Sequence, residues 1–202
     1  MCKGGRMRTV AQQRGEASTR RMIEATRALL AEGGLTAVTV AAVARRAGTS
    51  NGSLYHRFGD RQGLLLAVQD SLLTALESEA VAAMEEAVVL EPQEAAARAV
   101  GEALRLFADY RPVLRAFFVE GQSIDAFVDR NARCTHLLAA QAESLLVERL
   151  GMTPTRAAAV YRVLFSVGAA QSLFTEDQMR QGPVAQDELA AVLTRLVSPG
   201  GQ

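Results

Sequence analysis

An all-α fold follows from three features of the 202-residue sequence. Proline is rare, with five in the chain, while alanine, leucine, arginine and glutamate, all strong helix formers, dominate. No stretch sustains the apolar/polar alternation of a half-buried strand; "LTAVTV", residues 35–40, comes closest and runs straight into a helical pattern. Apolar residues instead recur at three- and four-residue spacing between glycines, prolines and capping side chains. These signals predict about nine helices.

The first helix starts near Ser18 and carries Met22, Ile23, Thr26, Leu29 and Leu30 on one face until Gly33-Gly34 stops it. Thr39 then caps a short helix holding Val40, Val43, Ala44 and Ala47, closed by Gly48. Ser50 caps the next, Asn51 to Phe58, broken by Gly59. Asp60 caps a long fourth helix towards Leu90. Glu91-Pro92 starts a helix to about Tyr110, and Arg111-Pro112 one to about Gly121. Ser123 or Asp125 opens a long helix to Leu150. Thr153-Pro154, a cap followed by proline at the first helical position, starts one reaching Phe174. "DQMRQGP" reads as a loop, and Gln186 to Val197 as the last helix. The tail "SPGGQ" and residues 1–16 carry no core pattern and are expected to be disordered.

Composition narrows the class. Apolar residues make up 49% of the chain, enough for a sizeable core. No run reaches the 18 or so apolar residues of a membrane span, and the polar N-terminus has no secretory h-region. Cys2 and Cys134 stand far apart, so a structural disulfide is not expected and a reducing cytoplasm is. The net charge is zero but unevenly spread. Residues 1–62 hold eleven Lys/Arg against four Asp/Glu; the remainder holds eleven against eighteen. Such a split points to a polyanionic partner for the first segment.

Two short helices joined by "AGTS", the second opening at a serine cap, make a helix-turn-helix. Leu54 and Phe58, four apart, would lock the second helix inward and leave Asn51, Gly52, Ser53, Tyr55 and His56 outward. Those residues suit a major groove. Asn bonds base edges, glycine lets backbone approach closely, and Tyr, His and Ser reach phosphate oxygens. Arg61, in the first turn of the following helix, stands where amides and dipole favour an anion such as phosphate.

The stretch from Thr19 to Val68 resembles the TetR family of bacterial transcriptional regulators. Gly34, Thr39-Val40, Val43-Ala44, Ala47-Gly48, Ser50, Gly52-Ser53, Leu54-Tyr55, Phe58 and Leu64 match its pattern without a gap. The resemblance implies that Thr39, Asn51, Tyr55, His56 and Arg61 meet DNA phosphates, with Gly52 and Ser53 near bases and Thr49 and Ser50 beside them. Thr49 stands for the usual valine, Asn51 and Ala41 for longer polar residues, and Arg61 for lysine. These departures bear on which operator is read. Lys3, Arg6, Arg8 and Arg14 form either a DNA-binding arm or a solvated tail. The expected division is an arm at 1–16, a DNA-binding domain at 17–63 and a second helical domain at 64–198.

For that second domain the resemblance implies effector binding and homodimerisation. The helix from Pro154 carries Ala157, Ala158, Gly168, Ala169 and Ser172 among larger residues, and small residues allow close helix approach. A dimer interface is therefore expected from Val160, Leu164, Val167 and Gly168 with Leu189, Val192, Leu193 and Leu196; the alternative is that both faces pack in one subunit's core. An effector pocket would draw its wall from Met84, Leu104, Phe107, Phe117, Phe118, Phe127 and Leu138, with Tyr110, Arg115, Gln122 and His136 as polar handles. Each aromatic could equally be ordinary core. The effector would be largely apolar.

No catalytic group, metal site or cofactor is expected. Cys134 and His136 lie two apart on a helix and point in different directions, no second Cys/His pair completes a zinc site, and no nucleophile elbow or phosphate-binding loop occurs. The function expected is a cytoplasmic, homodimeric repressor that leaves a pseudo-palindromic double-stranded operator when an effector binds. An activator or ligand-independent regulator on the same fold is the alternative, with a helical non-DNA interaction module behind it.

Overall fold

A computed structural model describes residues 10–174, 176–179, 182 and 184–198. In chain order the helices are α1 (Val10–Ala37), α2 (Val40–Ala47), α3 (Asn51–Phe58), α4 (Arg61–Val88), α5 (Pro92–Asp109), α6 (Arg111–Arg115, continued by a π-helical turn at Ala116–Glu120), α7 (Asp125–Glu148), α8 (Pro154–Leu173), α9 (Glu176–Met179) and α10 (Gln186–Val197). The chain divides into two compact units, residues 1–69 and 70–202. Among the described residues no helix is long and apolar enough to cross a membrane.

In the first unit α1 packs on α2 and α2 on α3. Met22, Ala25, Thr26, Leu30, Leu35 and Val38 are buried from α1 and its exit, and Val43, Ala44, Ala47 and Leu54 from the two short helices. Thr26 satisfies its buried hydroxyl by donating to the Met22 carbonyl at 2.8 Å. Burial of Leu54, fully inside, is worth about 1.5–3 kcal/mol and orients α3. Phe58 is only half-buried, so Leu54 carries most of that anchoring.

Caps fix the ends of the short helices. Thr39 is extended (φ −111°, ψ 153°) and its hydroxyl accepts from the Ala42 amide; Ser50 is likewise extended and accepts from the Ser53 amide. Gly48 closes α2 at φ +61°, where only glycine sits without strain, and the Thr49 amide donates back to the Ala44 carbonyl at 2.9 Å. Arginines tie the helices together. Arg21 Nε donates to the Ala47 carbonyl at 3.2 Å, and Arg57 donates to the Gly15 carbonyl at 2.7 Å and to Thr19 Oγ1.

The second unit packs α5 against α8 and α10, and α7 against α8. Its core joins Ala95, Ala96, Val100 and Leu104 of α5 to Leu145 and Leu146 of α7, Ala157 and Val160 of α8, and Leu193 and Val197 of α10. A Cβ on Gly168 would stand 2.1 Å from the Phe107 ring, so glycine there is what lets α8 seat against α5. Arg130, 8% exposed, donates to Asp70 at 2.8 Å, Glu77 at 2.6 Å and Thr74 at 3.2 Å, tying α7 to α4 by charge-assisted bonds.

Three expectations need correction. Helix α1 begins at Val10, so residues 10–16 are helical rather than part of a disordered arm; "AQQRGEA" holds no proline and a single glycine, which costs only about 1 kcal/mol. Lys3, Arg6, Arg8, Cys2 and the side chain of Arg14 lie outside the described residues. The "DQMRQGP" segment begins inside the short helix Glu176–Met179 rather than being loop alone. The single helix expected from Arg111 to Gly121 changes register after Arg115. The Gly121 amide bonds the Ala116 carbonyl at 2.9 Å, and the Phe117 carbonyl takes the buried Asn131 amide at 2.8 Å. A buried partner on α7 thus makes the wider turn possible, and nothing local to 111–121 announces it.

Candidate nucleic-acid interface

Helix α3 turns Leu54 inward and leaves Asn51, Gly52, Tyr55 and His56 exposed, Tyr55 at 51%. Period 3.6 places Gly52 and His56 opposite Leu54 and Tyr55 to the side, while Asn51 is exposed because it opens the helix. Gly52 has no internal reason to be glycine. A Cβ there would meet only the Ser50 hydroxyl, at 3.8 Å, so packing within the protein would tolerate a side chain. What glycine keeps open is the outward surface of the first helical turn. Ser50 and Ser53 hydroxyls stand 3.0 Å apart, and Thr39 and Ser50 accept backbone protons as caps. The Thr39 hydroxyl keeps its own proton for an outside acceptor. Thr49 is half-buried in the turn between α2 and α3.

Arg61 differs from expectation. The Asp60 carboxylate already accepts from the Gly63 amide at 2.7 Å, so the α4 N-terminus is capped from within rather than offered to an anion. The Arg61 guanidinium leans back and donates to the carbonyls of Leu35 and Val38. A cation at a helix N-terminus opposes the dipole, and the two carbonyls offset that. Arg61 therefore braces the turn between α1 and α2.

The second unit encloses a cavity of about 380 Å³. Of the residues expected to line a pocket, Met84, Phe107, Phe118, Gln122 and Leu138 do. The others sit elsewhere. Leu104 belongs to the core. Phe117 and Phe127 pack on each other edge-to-face with ring centres 5.1 Å apart, both fully buried. Tyr110 is buried and donates to Glu79 at 2.7 Å. Arg115 is exposed, 3.8 Å from Glu120, and His136 is exposed on α7. Adjacent residues of a helical turn project in well-separated directions, so Phe117 enters the core while Phe118 lines the cavity.

Sequence reading missed Glu102, Thr135, Tyr161, Phe165 and Ser172, all of which line the cavity. The spacing of Tyr161, Phe165, Ala169 and Ser172 along one side of α8 was the signal available. Arg105 holds the Glu102 carboxyl below its ordinary value, chiefly through its hydrogen bonds. Cys134 also lines the cavity; burial and the nearby Glu77 push its thiol up to about 12, so it is neither a nucleophile nor a thiolate ligand at neutral pH. Among the described residues no group of three metal-ligating side chains comes together.

The helices expected to dimerise are divided between two faces. Val160, Gly168 and Leu193 face inward, Leu164 lines the cavity, and Val167 and Leu189 are partly buried against the core. Val192 and Leu196 of α10 are exposed at 55% and 40%, and Val163 of α8 at 43%. The small-residue stripe on α8 serves packing on α5 at Gly168, within one subunit's core.

Comparison with known proteins agrees with this geometry. The model of bacterial regulatory proteins of the TetR family matches residues 22–68. The HTH-type transcriptional regulator BetI of Serratia proteamaculans (strain 568) is 45% identical over 53 residues, 26% of this chain. That stretch is 27% of BetI, so the chain spans about a quarter of the length of the curated relative it matches. A structure from Mesorhizobium loti MAFF303099, described as a TetR-family transcriptional regulator, superposes with a TM-score of 0.74 at 16% identity, over 91% of this chain and 95% of that one. The TetR-family transcriptional regulator PfmR of Thermus thermophilus does so with a TM-score of 0.60 at 23% identity, over 90% and 99%. At these identities the likeness is one of fold. Taken with the gap-free helix-turn-helix pattern and its exposed α3 face, residues 22–68 match the TetR family of bacterial regulatory proteins, and the chain as a whole shares the fold of TetR-family structures.

Proposed function

We propose that the protein is a cytoplasmic, homodimeric, sequence-specific DNA-binding regulator that represses transcription until a small molecule fills the cavity of its second unit. The observation that carries DNA binding is the exposed face of α3. Asn51, Tyr55 and His56 stand out around a glycine that no internal contact requires. Asn51 would bond a base edge, while Tyr55, His56 and Thr39 would hold phosphates and set register. Arg61 would act by bracing the turn behind α2 and, with the donors not used there, by reaching the backbone.

The dimer would form across the outer faces of α8 and α10, through Val163, Val192 and Leu196, rather than through the inward-facing Val160, Gly168 and Leu193. Two-fold symmetry then gives a pseudo-palindromic operator. Coupling would run through α4, which carries Arg61 at one end and the cavity-lining Leu76, Ala80, Ala83 and Met84 further along. An effector that favours one position of α4 by ~1–3 kcal/mol would suffice for a clear switch.

The experiment is selection of duplexes from a random DNA pool by the purified protein. Enrichment of a pseudo-palindrome is the expected result. Failure to enrich any sequence, in folded dimeric protein stripped of ligand by unfolding and refolding, would sink the reading.

A further inference from the structure

The polar side chains of the cavity are unequal in how well they are satisfied. Ser172 donates its single proton towards the Gly168 and Phe107 carbonyls, at 3.1 and 3.2 Å. Thr135 donates to the Asn131 carbonyl at 3.0 Å and Gln122 to the Phe118 carbonyl at 2.9 Å. Both Glu102 oxygens accept from Arg105 Nε at 3.1 Å. Tyr161 makes the longest of these bonds. Its hydroxyl reaches the Thr135 carbonyl only at 3.3 Å, where a hydroxyl bond is usually about 2.7–2.8 Å. A closer oxygen would draw that proton away at little cost.

The ring is held in place for such a task. Tyr161 lies 6.1 Å from Phe165, which meets Phe107 edge-on at 5.9 Å, and all three line the cavity. Burial pushes the phenol up to about 12, so it stays protonated and neutral at neutral pH. Charge on a ligand is disfavoured in both senses. The Glu102 carboxylate is already paired with Arg105, so neither an anion nor a cation finds an uncompensated opposite charge there to offset its desolvation.

We propose that the cavity takes a neutral, mainly hydrocarbon molecule bearing one uncharged oxygen function, hydroxyl or carbonyl, held by the Tyr161 hydroxyl. A cavity of about 380 Å³ falls within the range of small-molecule sites. This deepens the reading of the cavity as an effector site and rests on it.

Calorimetric titration of the full-length protein at neutral pH with 1-decanol, decanoate and decylammonium tests it. The expected result is decanol binding at least ten-fold tighter than either ion. Tyr161→Phe, which removes one oxygen and no ring, weakens decanol about five-fold, the equivalent of one ordinary hydrogen bond, with the thermal midpoint held as a control. Decanoate or decylammonium binding as tightly as decanol overturns the proposal. So does decanol affinity unchanged in Tyr161→Phe, or no binding by any of the three. DNA affinity measured in the same samples keeps the two readings apart. Decanol that binds without altering DNA affinity leaves the ligand class standing and removes the effector role.

Discussion

At the scale of single residues, two side chains of α3 are expected to act differently. Tyr55→Phe should weaken binding to every duplex by a similar factor, because a phosphate contact carries no sequence information. Asn51→Ala should reduce the ratio of specific to non-specific affinity by about five- to a hundred-fold, the worth of one base contact. Fluorescence anisotropy on an operator and a scrambled duplex reads both. Equal losses on both duplexes for Asn51→Ala would remove it from base readout. Cys134 gives an independent check on the second unit. With its thiol moved from the ordinary 9.0 to about 12, alkylation of native protein at pH 8 should run about a thousand-fold slower than in denaturant. Rapid labelling of the native chain would show that the cavity wall is open to solvent.

At the scale of elements, caps and close approaches set the helix ends and packing. Ser50 both accepts the Ser53 amide and lies against the Ser53 hydroxyl, so Ser50→Ala should cost about 1 kcal/mol in urea unfolding, with α3 retained. Gly168→Ala places a methyl against the Phe107 ring. The expected cost is about 1–3 kcal/mol, with the ring displaced into the cavity and ligand affinity lost with it. Unchanged stability and unchanged ligand affinity would mean that α8 and α5 can part without consequence. The two substitutions differ in legibility. Ser50 could be read from a serine ahead of a helical run, whereas Gly168 looked like a dimer-interface residue until Phe107 was found against it.

At the scale of the whole molecule, the proposed dimer would turn on the outer face of α10. Leu196 and Val192 are exposed there at 40% and 55%, and neither belongs to the core of its own subunit. Leu196→Glu should therefore leave the unfolding midpoint of dilute protein nearly unchanged while shifting sedimentation from dimer to monomer. Operator affinity should fall at least ten-fold with it, since one recognition helix alone covers half a site. A variant that remains dimeric would place the interface on another face.

What the sequence determined by itself is the local part. Helix positions, the Thr39 and Ser50 caps, the turn at Gly48 and the exposed α3 residues all depend on neighbours within about four positions, and periodicity and capping chemistry act over that range. The family pattern lies in the same stretch, so the exposure of Asn51, Gly52, Tyr55 and His56 was readable there, while Ser53, expected outward, is half-buried against Ser50. Tertiary structure decided what depends on distant partners. Asn131 on α7 donates to the Phe117 carbonyl where the π turn lies. The carbonyls of Leu35 and Val38 hold Arg61, and Phe107 turns Gly168 inward. None of these pairings leaves a trace in local spacing, because the energy that selects them comes from burial and from satisfying polar groups across helices rather than along one.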